Sequence, residues 1–168
     1  MNSIDRLNKL SKSDFISIFG NVFEKTDWIA EKTYNLKPFN SFEELFFKIM
    51  KIFENSEKVN QLKILNSHPL LAIEKIMTKD SINEQKNAQL NQCTKEELGE
   101  FKKLNGEYNK KFNFPFIIAV AGKTKLEILN SFRKRIENNM ENEFEEAKKQ
   151  VKKIATLRLN QIKINNKL

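Results

Sequence analysis

Apolar residues return every three or four positions along most of this chain, the spacing that lays one stripe of a helix against a core. The stripes predict helices over "DFISIFGNVF", over "DWIAEKTYN" up to the Lys37-Pro38 pair, from Glu57 to Leu65, and from Glu141 to Ile162. Three further helix starts are written as capping boxes, in which a hydroxyl accepts from the third helical N–H and a carboxylate reaches back. Ser41 and Glu44 stand ahead of "LFFKIMKIF", Thr94 and Glu97 ahead of "LGEFKKLNGEY", and Thr124 and Glu127 ahead of "ILNSFRKRI". Four Gly and three Pro leave little punctuation, and no repeat or low-complexity linker interrupts the pattern. The pattern predicts an all-α fold, a helical bundle in which residues 1–168 form a single domain.

One segment departs from it. "NFPFIIAVAG", Asn113 to Gly122, is apolar, β-branched in its middle and opened by Pro115. Periodicity allows a short strand or a buried helix, and the flanking helices favour an extended stretch threading the core. Its main-chain N–H and C=O groups then need partners, from side chains, water or a bound polar ligand.

Polar residues in apolar settings supply the candidate chemistry. Arg158 shares a 4-3-4 stripe with Val151, Ala155 and Ile162, so its guanidinium must meet an anion or reach out to water. The partner is either a glutamate on another helix or an anionic substrate gripped through two parallel N–H bonds. Ser81 and Glu84 in "DSINEQ" have the spacing of another capping box, or else they face a cavity beside His68. His68, the lone histidine, precedes Pro69; the residue before a proline is driven out of the helical region, so the ring leaves the chain in a defined direction at a helix start. Imidazole titrates near neutrality, which suits an acid or base and equally a hydrogen bond to a helix end.

Composition narrows the classes. Hydrophobic residues are 39% and charged residues 31%, and no apolar run nears the roughly 20 residues a bilayer requires. The start, "MNSIDRLNKL", is unlike a secretory signal. With one Cys and one His there is no internal disulfide and no zinc site of the usual nitrogen and sulfur kind. A net charge of +8 raises the alternative of a basic helical nucleic-acid-binding protein. Against it, only 4 of the 30 basic residues are Arg, and the lysines lie scattered among acids as on a solvated face.

Five stretches, in order and at the right spacing, resemble the OHCU decarboxylase family, which acts on 2-oxo-4-hydroxy-4-carboxy-5-ureidoimidazoline in urate breakdown. They are "FGNVFEKTDWIAE" (Phe19 to Glu31), "HPLLA" (His68 to Ala72), "SINEQ" (Ser81 to Gln85), "LNGEYNKKFNFPFIIAV" (Leu104 to Val120) and "KKIATLRL" (Lys152 to Leu159). The resemblance implies an all-α homodimer that uses no cofactor or metal and yields (S)-allantoin. It implies His68 and Glu84 as the catalytic pair. Pro69, Ser81, Gln85, Arg158 and the backbone of Phe116, Ile117, Ile118, Ala119 and Val120 are implied to hold the substrate. It implies no nucleic-acid or membrane partner, with urate oxidase and hydroxyisourate hydrolase as neighbours in the pathway on separate chains. The expected compartment is the cytoplasm, although the terminal "NKL" is close to a peroxisomal tripeptide. Two departures stand out. The family's "HPDLAG" run has Leu70 and Ile73 here, and Asn113 stands where a glycine usually precedes "FPF"; Asn is the next residue most tolerant of positive φ.

Overall fold

The computed structural model describes residues 3–73 and 77–166. Among these, nine α-helices follow one another with no strand, as the all-α reading expects. The chain gathers into two compact units, one of Met1–Ile64 with Lys152–Leu168, the other of Leu65–Val151.

The first unit opens with α1 (Ser3–Lys9), α2 (Lys12–Phe19), α3 (Asp27–Tyr34) and α4 (Phe42–Glu54). The helix expected over "DFISIFGNVF" stops at Phe19, with Gly20 as its C-cap, and only glycine fits there: a Cβ would lie 2.5 Å from Asp27 Oδ1 and 2.6 Å from the Ile16 carbonyl. The tight turn lets α2 fold back on α3, and α3 packs in turn on α4. Phenylalanines fill this core. Phe15 and Phe19 lie 4.6 Å apart between ring centroids, and Phe23 stacks on Phe53 at 4.8 Å. Ser41 caps α4 as expected, but Glu44 reaches back to the main-chain and side-chain amides of Asn40 rather than to Ser41. The helix α5 (Lys58–Ser67) runs two residues beyond the expected Leu65 and ends directly before His68.

The second unit holds α6 (Lys79–Asn87), a short 3₁₀ turn at Leu90–Gln92, α7 (Lys95–Phe112) and α8 (Lys125–Arg135). Helix α9 (Met140–Asn165) begins in this unit, and its residues from Lys152 onward belong to the first. Both capping boxes written for α7 and α8 are complete, with the hydroxyl and carboxylate arms formed. Tyr108 is the hub of the core, its ring 4.6 Å from Phe112, 5.4 Å from Phe116 and 5.7 Å from Phe132. The contacts with Phe116 and Phe132 are edge-to-face, and pairs of that kind contribute about 0.5–1.5 kcal/mol each beyond their buried area.

Candidate functional site

The residues singled out by sequence fall in both units. In the second, His68 follows the last residue of α5, so it stands at a helix end rather than at a helix start; a residue before proline cannot easily continue a helix, and α5 terminates there. Its N–H donates to the Leu65 carbonyl at 3.2 Å, and the residue is only 8% exposed. After Pro69 the chain turns sharply, with Ala72 at a φ of 55°. A β-carbon makes that left-handed conformation unfavourable, so the turn must be held from outside.

Two carboxamides hold it. Gln85 accepts from the Ala72 N–H at 3.0 Å and donates to the Leu70 carbonyl at 3.2 Å, with Met77 Sδ also 3.4 Å from its amide nitrogen. Asn105 donates from Nδ2 to the Leu71 carbonyl between them, at 3.1 Å. These bonds are made to main chain, so replacement of the family's usual acid by Leu70 leaves them available. The left-handed residue is Ala72, and Ile73 follows it.

Helix α6 carries the next group. Thr78, not Ser81, is its cap: the Thr78 hydroxyl accepts from the Ser81 N–H at 3.3 Å. The capping reading of Ser81 with Glu84 is therefore corrected. Ser81 lies in the first turn with its side chain buried, and Glu84 and Gln85 follow at i+3 and i+4 on one helical face. Ser81 and Gln85 are buried and Glu84 is half-buried, whereas Ile82 and Asn83 between them are exposed. Gln85 thus ties the helix bearing Ser81 and Glu84 to the turn bearing His68.

The segment after α7 has no helix and no ladder partner among the described residues from Phe114 to Val120, so it is irregular. Asn113 ends α7 in the left-handed conformation, φ 58°, in the role a glycine would take. Every residue from Phe114 to Val120 is buried. Part of its backbone is taken by protein groups: the Ile117 carbonyl accepts from Arg135 at 2.7 Å, the Ala119 N–H donates to Gln150 at 3.0 Å, and the Val120 carbonyl accepts from the Lys123 N–H at 3.0 Å. Arg135 is itself held by Glu143, with N–O distances of 2.9 and 2.5 Å, and stacks over the Phe116 ring. Tyr108 donates to the same carboxylate, and Asn138 donates to its other oxygen at 2.8 Å. Burial, and then the hydrogen bond to Glu143, push the Tyr108 phenol well above its usual range.

Arg158 lies in the first unit, on the buried face of α9. Its Nη1 is 2.9 Å from Glu24 Oε2 and donates to the Asn21 carbonyl at 3.0 Å. The partner glutamate does exist, but it comes from the loop between α2 and α3 rather than from another helix. Both side chains are nearly inaccessible, 6% and 1% exposed, so the pair is a desolvated one.

Sequence reasoning missed Asn105, Arg135, Gln150 and Glu24. Asn105 had a visible signal: it shares a core stripe with Phe101, Leu104, Tyr108 and Phe112, the same argument that singled out Arg158.

Among the described residues, an imidazole stands before a proline turn that Gln85 ties to a carboxylate-bearing helix. Comparison with known proteins makes the class specific. Residues 8–160 match the family model described as OHCU decarboxylase. The 2-oxo-4-hydroxy-4-carboxy-5-ureidoimidazoline decarboxylase of Haloferax volcanii is 31% identical over 157 residues, covering 94% of this chain and 94% of that protein. The uric acid degradation bifunctional protein of Bacillus sp. (strain TB-90) is 41% identical over 162 residues, which is 96% of this chain and 32% of that protein. This chain thus spans about a third of the length of the Bacillus bifunctional relatives it matches. A crystal structure of OHCU decarboxylase in the presence of (S)-allantoin superposes with a TM-score of 0.71 at 25% identity, covering 91% of this chain and 98% of that one. The chain belongs to the OHCU decarboxylase family.

Proposed function

We propose that this chain converts 2-oxo-4-hydroxy-4-carboxy-5-ureidoimidazoline to (S)-allantoin and CO₂ in urate breakdown, with no cofactor. The observation that carries the reading is His68, the lone imidazole, buried on a turn that Gln85 ties to the helix bearing Ser81 and Glu84. When the bond to CO₂ breaks, its electron pair enters the adjacent conjugated C=N system of the substrate, which is why no electron sink is needed from a cofactor. The protein's work is to hold the carboxylate out of the ring plane, stabilise the developing charge and deliver a proton to one face. His68 with Glu84 serves that acid–base step. Pro69, Ser81, Gln85, Arg158 and the backbone of Phe116 to Val120 are proposed to hold the substrate, on the family resemblance of those positions. The same resemblance supports a homodimer, and the cytoplasm is the proposed compartment.

The nucleic-acid alternative drew on the net charge. Several lysines pair with glutamates along partly exposed helical faces, among them Lys48 with Glu44 at 2.6 Å and Lys148 with Glu145 at 2.8 Å, and no helix of the described residues is long and apolar enough to cross a membrane. Paired charge of this kind supports the solvated-face reading.

The test is His68→Asn. The variant is expected to keep the wild-type circular dichroism spectrum and to leave the substrate decaying at its spontaneous rate. Allantoin formed in its presence should be racemic, because solvent then delivers the proton. A variant that still produces (S)-allantoin near the wild-type rate removes His68 from the reaction.

A further inference from the structure

We propose that Asn105 is a positioning residue for His68, acting through the Leu70–Ala72 turn. The proposal deepens the decarboxylase reading and rests on His68 being its acid–base group.

Three consecutive residues of that turn are held by side-chain amides. Gln85 takes the Leu70 carbonyl and the Ala72 N–H, and Asn105 takes the Leu71 carbonyl that lies between them. Gln85 approaches from α6, the helix of Ser81 and Glu84, whereas Asn105 approaches from α7, 34 residues along the chain from Leu71. The turn is thus fixed from two separate helices. That matters because Ala72 sits in a backbone conformation that a residue with a β-carbon adopts at a cost, and such a turn relaxes when its restraints are removed. Three residues separate Ala72 from His68, the first of them Pro69, which stiffens the connection, so rotation of the turn is passed directly to the imidazole.

Asn105 is also an unusual choice for its place. It is 3% exposed on the stripe of Phe101, Leu104, Tyr108 and Phe112, where leucine would pack without polar atoms. Its orientation is set, since a carbonyl partner requires the amide nitrogen rather than the oxygen. The oxygen, Oδ1, is then buried with no hydrogen-bond partner among the described residues. A buried acceptor left in that state is unfavourable, so stability alone does not account for the amide. The donor to Leu71 does.

The experiment uses Asn105→Leu, with Asn105→Ala as the second variant should the larger side chain disturb folding. Because the chain has one histidine, the Cε1–H resonance of His68 can be followed by NMR through a pH titration without assignment ambiguity. Loss of the clamp is expected to displace that titration midpoint from the wild-type value. It should also lower kcat for the substrate by about tenfold to a hundredfold while KM changes by less than about threefold, the pattern of lost transition-state alignment. A residue that merely filled the core would alter melting temperature and leave both readouts in place. An unmoved His68 titration overturns the proposal, and so does a wild-type kcat. If the wild-type protein itself turns over no substrate, the decarboxylase reading has failed separately, and the His68 spectrum alone decides whether Asn105 sets the imidazole.

Discussion

Glu84 shows how much of a residue's role depends on the position of its neighbours. As the fourth residue of a capping box it would be interchangeable with glutamine, which serves the same box. With Thr78 as the cap of α6, Glu84 has no such duty and sits half-buried on the face it shares with Ser81 and Gln85. Glu84→Gln is therefore expected to melt within a degree or two of wild type, since it removes no cap. If the carboxylate orients and charges His68, the same change should cut kcat by about a hundredfold or more. Stopped-flow turnover beside a calorimetric melt separates the two roles, and a fully active variant returns Glu84 to structure. Arg158 is the contrasting case, because its stripe position predicted an anionic partner and the chain provides one in Glu24.

At the scale of elements, carboxylates at helix starts contribute to the response to acid. The Lys48 ammonium and the Asn40 amides hold the Glu44 carboxyl down at about 2, against an ordinary value of 4.5. Lys125 and the Thr94 N–H lower the Glu97 carboxyl, and the Thr124 N–H and hydroxyl lower that of Glu127. Each is depressed in the folded chain, so each contributes stability that is complete above the unfolded carboxylate value and is lost as pH falls through the folded one. For Glu44 that window runs from 4.5 down to about 2. Melting temperature is expected to fall across it, and Glu44→Gln should flatten the fall, because glutamine cannot take up the proton. Thermal melts at half-unit steps of pH check this; an unchanged slope would show that the carboxylate is as easily protonated folded as unfolded. The irregular segment after α7 obeys a different rule. It lacks helical partners for its main chain, and Arg135, Gln150 and Lys123 supply some of them.

For the molecule as a whole, the buried cluster of Glu143, Arg135 and Tyr108 is a point sensitive to mutation. Glu143 is 0% exposed, neutralises Arg135 and accepts from Tyr108. Removing one member of a buried ion pair leaves the other charged and unpaired, at a cost of about 3–5 kcal/mol. Glu143→Leu is expected to lower unfolding free energy by that amount in urea titrations. Arg135 also donates to the Ile117 carbonyl, so hydrogen exchange along the Phe116–Val120 segment should rise in the same variant. A loss under about 1 kcal/mol would mean the cluster is little better than an apolar replacement, as is known for some buried pairs.

The sequence by itself determined the elements, since helical stripes and capping boxes are local: an N-cap and its partner lie three residues apart, and Thr94 with Glu97 and Thr124 with Glu127 could be read directly. It also carried the order of motifs that places the chain in its family, including the Asn113 turn, because a residue's tolerance of positive φ is intrinsic. The tertiary structure decided which of two hydroxyls caps α6, because Thr78 and Ser81 are both competent three residues apart and only the placement of the helix start chooses between them. It alone decided that Asn105 meets Leu71, that Tyr108 meets Glu143, and that Glu24 meets Arg158. Those contacts join residues 34 or more positions apart. No local pattern encodes such a pairing: a polar residue on an apolar stripe announces that it needs a partner, and only the packing of the chain supplies the one within reach.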